Sequence, residues 1–221
     1  MHSQRRANVR ILIIGGGGRE HAMGVALSQA KDAPQLVFAP GNPGCAEWGV
    51  CESVHVTDVA ALVRIAQKHA VDLAIVGPEA PLVAGVADAL AAAGIPCVGP
   101  SQAAAQLEAS KAFTRRLGAD LNLPQPDFAI ITEADDIEAA VDRLGGLPVV
   151  KADGLAAGKG VVLPETRDGC IRAAQAMLDG AHGQAGATVV LEERLEGTEA
   201  SLFFACHGTR AIALPHAQDH K

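Results

Sequence analysis

A loop of small residues between two lysines is the part of this sequence best suited to chemistry. The apolar segment 148–150 leads into Lys151, and the loop that follows, 153–160, contains three glycines and Lys159. Small residues let backbone N–H groups approach phosphate oxygens, and lysine ammonium groups neutralise their charge. The spacing is not that of the P-loop, because the apolar run 161–163 follows instead of a helix. The pattern predicts a β-hairpin whose glycine loop is a hinged flap over a triphosphate; a purely structural hairpin is the alternative.

Two further features of the second half of the chain point to a nucleotide. Lys111 stands at the start of a predicted helix, and the predicted strand 188–193 continues to Leu195 and Glu199. Adenine requires backbone hydrogen bonds and apolar contacts, and ribose hydroxyls require a carboxylate. A strand that ends in Glu, Leu and Glu supplies all of these. A single lysine is more often a solvated surface charge, but the arrangement of these lysines around a glycine loop favours a nucleotide site.

Short β-rich runs alternate with amphipathic helices from Val9 to about Pro100. Nearly continuous apolar strands joined through helices predict a parallel sheet covered on both faces, as in a small Rossmann-like domain. Ligands of such sheets bind beyond the carboxyl ends of the strands. Glycine or proline follows each predicted strand there, and the polar candidates are Arg19, Asn42 and Glu79.

The glycine run 15–18 does not match a dinucleotide fingerprint. That fingerprint needs a third glycine where this chain has Glu20 or His21, and an acidic residue where the second strand ends in Pro40. An oxidoreductase is therefore disfavoured. The run still suits a phosphate, with Arg19 as the counter-charge, and a simple tight turn is the alternative.

Composition excludes several classes of function. The chain has 221 residues, 49% of them hydrophobic and 19% charged, and a net charge of -7. This acidic balance argues against nucleic-acid and anionic-membrane binding. The apolar run 11–14 is too short for a signal peptide, so a cytoplasmic protein is expected. Five cysteines without a Cys-x-x-Cys motif predict neither a disulfide framework nor a zinc cluster.

The predicted fold class is α/β followed by α+β. Residues 1–105 are expected to form the Rossmann-like substrate domain, and residues 106–221 to form a second unit. Within the second unit we expect a flap subdomain at about 124–193, followed by an antiparallel strand pair, 198–206 and 210–214.

Several long motifs occur in a fixed order along the chain. They are Gly-Gly-Arg-Glu-His-Ala (17–22), Ala-Pro-Gly-Asn (39–42), Val-Gly-Pro-Glu-Ala-Pro-Leu (76–82), Gly-Pro (99–100), Ser-Lys-Ala-Phe (110–113), Lys-Ala-Asp-Gly-Leu-Ala-Ala-Gly-Lys-Gly-Val (151–161) and Gln-Asp-His-Lys (218–221). With these motifs the chain resembles the phosphoribosylamine glycine ligases, also called glycinamide ribonucleotide synthetases, of the ATP-grasp superfamily. The resemblance runs from residue 11 to residue 221.

The resemblance implies an ATP-dependent carbon–nitrogen ligase of de novo purine synthesis. Members of the family join glycine to 5-phosphoribosylamine through glycyl phosphate, releasing ADP and phosphate. A carboxylate is a poor electrophile until it is phosphorylated, so catalysis is mainly positioning and charge neutralisation. The absence of a nucleophile–base signature in the sequence agrees with this. The implied partners are small molecules, and the oligomeric state is not indicated.

The resemblance also implies residue roles. The implied ATP-binding residues are Lys111, Lys151, Asp153, Gly154, Gly158, Lys159, Gly160, Glu192, Glu193, Leu195 and Glu199. The implied substrate-binding residues are Gly17, Gly18, Arg19, Asn42, Glu79, Asp219 and His220. Lys151, Asp219 and Lys221 are the implied catalytic residues.

The family pattern continues beyond the Gln-Asp-His-Lys motif at which this sequence stops. The Glu and Asn residues that hold Mg²⁺ or Mn²⁺ in the family come later, so no metal ligand is expected within residues 1–221. We therefore expect the amino-terminal portion of such a ligase. The alternatives are a nucleotide-binding fragment without catalysis, and a related ATP-grasp ligase that acts on another carboxylate.

Overall fold

The computed structural model describes residues 9–145, 147–155, 160–181 and 187–218. The strands are β1 (Arg10–Gly15), β2 (Gln35–Pro40), β3 (Gly49–Cys51), β4 (Leu73–Val76), β5 (Cys97–Val98), β6 (Phe128–Ile131), β7 (Val149–Ala152), β8 (Val161–Val162), β9 (Val189–Glu192), β10 (Ala200–Ser201), β11 (Phe204–His207), β12 (Arg210–Ala213) and β13 (Ala217–Gln218). The helices are α1 (Gly18–Ser28), α2 (Val59–Lys68), α3 (Glu79–Val83), α4 (Val86–Ala92), α5 (Gln102–Ala109), α6 (Lys111–Asp120), α7 (Ile137–Arg143) and α8 (Arg167–Ala176).

The first sheet has five parallel strands in the order β3-β2-β1-β4-β5. The side chains of β1 alternate between its two faces. Leu12 and Ile14 pack in a cluster with Leu62 of α2, whereas Ile13 packs with Phe38 on the opposite face. Both faces are therefore buried, and the near-continuous apolar sequence of β1 follows from that burial. The predicted parallel, Rossmann-like sheet is confirmed.

The amphipathic segment 82–93, which the sequence pattern predicts as one helix, is divided in two. Gly85 has φ 91°, a left-handed conformation that glycine adopts without steric cost, and it separates α3 from α4. β3 was not predicted, because its three residues are too few to show a pattern and only their pairing with β2 identifies a strand.

The second sheet has four antiparallel strands in the order β6-β9-β7-β8. Its central strand, β9, is buried along its whole length. Val150 and Leu191 pack with Ile137 and Val141 of α7 and with Cys170 of α8. The β7–β8 pair, with Lys151 opposite Val161, confirms the predicted hairpin.

Residues after β9 form two small antiparallel pairs, β10 with β13 and β11 with β12. Their apolar side chains are exposed; Leu202 and Ile212 retain 70% and 69% of their surface. The β11–β12 pair confirms the antiparallel pairing expected between 198–206 and 210–214, but the expected strand 198–206 is divided into β10 and β11, which belong to different pairs. The domain limits 1–105, 106–221 and 124–193 remain predictions. Over the described residues, no helix has the length and apolarity needed to cross a membrane.

Candidate active site

Lys111 and Lys151 line one cavity of about 230 Å³. Ser110 caps α6, its Oγ accepting from the Phe113 N–H at 3.0 Å, and so sets the start of the helix that carries Lys111. Lys151 projects from β7. The remaining lining residues come from α5, α6 and β9: Leu107, Glu108, Thr114, Arg115 and Glu192. The structure thus brings together the two lysines that the sequence separates by forty positions.

Glu192 is the buried anion of this cavity, with a side chain only 4% exposed. Arg115 donates from Nε to Oε1 and from Nη2 to Oε2, each at 2.9 Å. Lys151 Nζ donates to Oε2 at 2.6 Å. Burial raises the pKa of Glu192, but the hydrogen bonds from Arg115 and Lys151 outweigh burial and hold the pKa below its ordinary value. The carboxylate is therefore ionised at neutral pH.

Lys111 contacts the base of the glycine loop. Its Nζ donates to the carbonyl oxygens of Asp153 at 3.2 Å and Gly154 at 3.1 Å. Burial lowers the pKa of Lys111, and the neighbouring Lys151 lowers it further, against the opposing pull of Asp153, Glu108 and Glu192. Lys111 is thus a partly desolvated cation whose hydrogen-bond partners are backbone carbonyls, which a phosphate oxygen can replace.

The Asp153 carboxylate faces the amino terminus of α6. It accepts from the Ala112 N–H at 2.6 Å and from Ser110 Oγ at 2.9 and 3.1 Å. A carboxylate is favoured there because the first N–H groups of a helix lack partners within it. In this arrangement the Asp153 side chain joins the glycine loop to α6.

The carboxyl edge of the first sheet is organised around a second buried carboxylate. Glu20 is 4% exposed, and its Oε2 accepts from the Gly17 N–H at 2.6 Å. A Cβ at Gly77 would lie 1.8 Å from Glu20 Oε1. Glycine at 77 therefore makes room for the carboxylate that holds the turn after β1.

The predicted substrate-site residues meet at this same edge. Arg19 Nη1 donates to the Gly77 carbonyl at 2.8 Å and lies 3.5 Å from Glu79 Oε1. Asn42 Nδ2 donates to the carbonyl oxygens of Gly16 and Gly17 at 3.0 and 3.3 Å. The turns after β1, β2 and β4 are thus joined by side-chain hydrogen bonds. Because Arg19 and Glu79 remain exposed, a ligand can reach both charges.

Two family models account for nearly the whole chain. Residues 9–108 match the N domain of phosphoribosylglycinamide synthetase, and residues 109–221 match its ATP-grasp (A) domain. The chain belongs to the phosphoribosylglycinamide synthetase family. The fold prediction, α/β followed by a partial ATP-grasp unit, is confirmed with this match.

Curated members of this family are similar to this chain over about half of their own length. The phosphoribosylamine–glycine ligase of Brucella melitensis is 47% identical over 213 residues, which cover 96% of this chain and 50% of the relative. That of Caulobacter vibrioides is 48% identical over 211 residues, covering 96% and 49%. The chain thus spans about half the length of the curated relatives it matches.

Solved structures support the fold. The phosphoribosylamine–glycine ligase of Thermotoga maritima superposes with a TM-score of 0.78 at 24% identity, covering 94% of this chain and 49% of the other. The N5-carboxyaminoimidazole synthetase of Staphylococcus aureus, solved with ADP, gives a TM-score of 0.72 at 19% identity, covering 96% and 55%.

The ATP-site residues implied by the family resemblance are distributed unevenly. Lys111, Lys151 and Glu192 line the cavity, while Asp153 and Gly154 contact α6 and Lys111. The Glu193 N–H donates to the Asp127 carbonyl, and the Asp127 N–H donates to Glu193 Oε2. Leu195 and Glu199 follow β9, are exposed, and lie outside the lining of this cavity. The Gly160 carbonyl accepts from the Ala152 N–H. Gly158, Lys159, Asp219, His220 and Lys221 lie outside the described residues.

Sequence reasoning missed the roles of Arg115 and Glu20. Arg115 lies four residues after Lys111, on the same face of a helix, and this spacing was the available signal. Glu20 stands at the third position of α1, where a carboxylate reaches back to the N-cap backbone N–H. Among the described residues, no group of three or more His, Cys, Asp or Glu side chains could hold a metal ion.

Proposed function

We propose that this chain provides the substrate edge and part of the ATP pocket for ligation of glycine to 5-phosphoribosylamine. The products are glycinamide ribonucleotide, ADP and phosphate. The observation that carries the proposal is the cavity that Lys111, Arg115 and Lys151 line together with Glu192, beside Asp153 and Gly154 at the base of the glycine-rich loop. The three cations and Glu192 all lie in the part that matches the ATP-grasp model, which supports a nucleotide as the ligand.

The chemistry requires phosphorylation of glycine first. One carboxylate oxygen of glycine attacks the γ-phosphorus of ATP, and the bond from that phosphorus to the bridging oxygen breaks, giving glycyl phosphate and ADP. The amine of phosphoribosylamine then attacks the acyl carbon, and phosphate leaves as the amine loses a proton. Both steps develop charge on phosphate oxygens, which Lys111 and Lys151 are positioned to neutralise.

The other substrates are assigned to the carboxyl edge of the first sheet. Arg19 and the exposed backbone of the turn 16–18 suit a phosphate group, and Glu79 suits an ammonium group. Asn42 orients the glycine turn by its hydrogen bonds to Gly16 and Gly17. Gly18 is proposed as a backbone contact of the ribosylamine, because a Cβ there would meet open space. Gly17 is proposed on the family resemblance alone, since its N–H already donates to Glu20 Oε2.

Mg²⁺ or Mn²⁺ would shield the triphosphate when bound. The described residues do not form a ligand set for such an ion, so no step is assigned to a metal on this chain. The roles of Gly158, Lys159, Asp219, His220 and Lys221, which lie outside the described residues, remain part of the proposal on the resemblance alone.

A second candidate is a nucleotide-binding unit without turnover. The cavity supports it as well, because the two lysines that line it can bind phosphate oxygens without any transfer. Such a unit binds ATP through the same lysines but does not transfer a phosphoryl group.

ADP release distinguishes the two candidates. The purified chain is given magnesium, ATP, glycine and freshly generated phosphoribosylamine, and each component is omitted in turn. Release that requires every component supports ligation. Calorimetric ATP binding without release supports the nucleotide-binding unit, and absence of ATP binding contradicts both.

A further inference from the structure

Arg115 and Lys151 use the Glu192 carboxylate differently. Arg115 forms a two-pronged contact with both oxygens, whereas Lys151 makes a single hydrogen bond to Oε2. The two cations also come from different elements, since Arg115 lies on α6 and Lys151 on β7. A bidentate guanidinium–carboxylate pair has a fixed geometry, while a lysine ammonium on a flexible stem exchanges partners readily.

Binding of a phosphate by Lys151 changes the balance of charge at Glu192. Three cationic side chains line the cavity, Lys111, Arg115 and Lys151, and two anionic ones, Glu108 and Glu192. A buried carboxylate that loses its counter-charge is strongly destabilised. If Lys151 were the sole partner of Glu192, every phosphate that it bound would leave that carboxylate uncompensated.

We infer that Arg115 is a positioning residue that keeps Glu192 compensated, so that Lys151 can leave Glu192 and bind a nucleotide phosphate. The inference rests on the proposed nucleotide function of this cavity. Arg115 acts through Glu192: two of its guanidinium nitrogens are already bonded to that carboxylate. Lys151, with a side chain 23% exposed and one hydrogen bond to Glu192, is the group that moves.

A charge-neutralising pair of substitutions tests this coupling. The variants are Arg115→Gln, Glu192→Gln and the double variant, with ATP affinity measured by titration calorimetry. Arg115→Gln should weaken ATP binding about tenfold, because Lys151 then remains with Glu192. The double variant should return to within about threefold of the unmodified protein, because no carboxylate then holds Lys151. Arg116→Gln is the matched control: it removes the same charge from an exposed position on the same helix and should leave the affinity unchanged.

A second readout needs no nucleotide. Acylation of lysine by an N-hydroxysuccinimide ester requires the free amine, and the Lys151 peptide can be followed by mass spectrometry. In Arg115→Gln the Lys151 Nζ should stay bonded to a carboxylate that it no longer shares with Arg115, so its labelling should slow about threefold. Labelling should recover in the double variant. The exposed Lys31 serves as the internal reference in each sample.

The outcomes separate this inference from the proposed function. Unchanged Lys151 labelling in Arg115→Gln overturns the positioning role, whether or not ATP binds. ATP affinity that stays equally weak in the double variant also overturns it, because Arg115 would then contact the nucleotide itself. The expected labelling pattern without any ATP binding supports the positioning role and contradicts the proposed function. If Arg115→Gln does not fold, Arg115→Lys is used, and it should give the same pattern more weakly. Lys151 labelling that is unchanged in Arg115→Lys would overturn the inference.

Discussion

Ser110 Oγ lies 2.9 Å from Asp153 Oδ2, and this hydrogen bond joins the start of α6 to the base of the glycine loop. The same hydroxyl accepts from the Phe113 N–H, so one side chain both caps the helix and holds the loop. The helix that carries Lys111 and the strand that carries Lys151 are thereby fixed relative to each other. The distance between the two ammonium groups depends on this joint as well as on the lysines themselves.

Substitution of Asp153 should weaken this joint. Asp153→Ala removes the acceptor of the Ala112 N–H and of Ser110 Oγ, and should lower the free energy of unfolding by about 1 kcal/mol, as for other helix caps. Chemical denaturation measures the change. Asp168→Ala is a suitable comparison. Asp168 is an acidic residue in the first turn of α8, but the N-cap of that helix is a different residue, Thr166. A loss at Asp153 no larger than at Asp168 would contradict the capping role.

Lys151→Ala should weaken ATP binding. A charge-assisted hydrogen bond contributes about 1.5–3 kcal/mol, which corresponds to roughly a 10- to 100-fold loss of affinity. Titration calorimetry gives the affinity directly. The control is Lys31→Ala, which removes the same charge from an exposed position. Equal ATP affinities for Lys151→Ala and the unmodified protein would eliminate the phosphate role of Lys151.

Glu192 should make stability depend on pH in the acid range. Its folded-state pKa lies below the ordinary value of 4.5, so its contribution is complete above that value and declines as pH falls through the folded-state pKa. The free energy of unfolding is measured near neutral pH and at about pH 4 and pH 3. Its decrease on acidification should be smaller in Glu192→Gln than in the unmodified protein. Identical losses in the two proteins would show that Glu192 is not the group responsible.

Gly77→Ala should disturb the turn after β1. The added Cβ would lie 1.8 Å from Glu20 Oε1, so the carboxylate must move away from the Gly17 N–H. We expect a loss of about 1–3 kcal/mol in the free energy of unfolding. Gly18→Ala, whose Cβ would meet open space, should be neutral or slightly stabilising. Partial recovery in Gly77→Ala with Glu20→Ala would identify the clash as the cause.

Glu79→Gln should separate the two proposed subsites. Glu79 lies at the edge of the first sheet beside Arg19 and does not line the nucleotide cavity, so ATP affinity should be unchanged. The rate of ADP release that depends on glycine and phosphoribosylamine should fall. A weaker ATP affinity in this variant would move Glu79 into the nucleotide site.

The larger elements could be predicted because turn residues bound their apolar runs. Glycines follow the apolar run of β1, and a glycine-rich loop separates the apolar runs of β7 and β8; both predictions were confirmed. The carboxylate contacts could not be predicted in the same way. Glu192 appears in the sequence as the end of a strand, and its two cations lie 41 and 77 residues away. Only packing shows that its side chain turns inward to Arg115.

The position of β1 at the centre of its sheet has a consequence during translation. Its neighbours are β2, which ends at Pro40, and β4, which ends at Val76. At ribosomal rates of about 5–20 residues per second, roughly 3–12 seconds separate the synthesis of β1 from that of β4. Throughout this interval the segment Ile11–Ile14, fully apolar, cannot complete its hydrogen-bond ladders. Until β4 has left the ribosome, one edge of β1 therefore lacks the strand that covers it in the folded sheet.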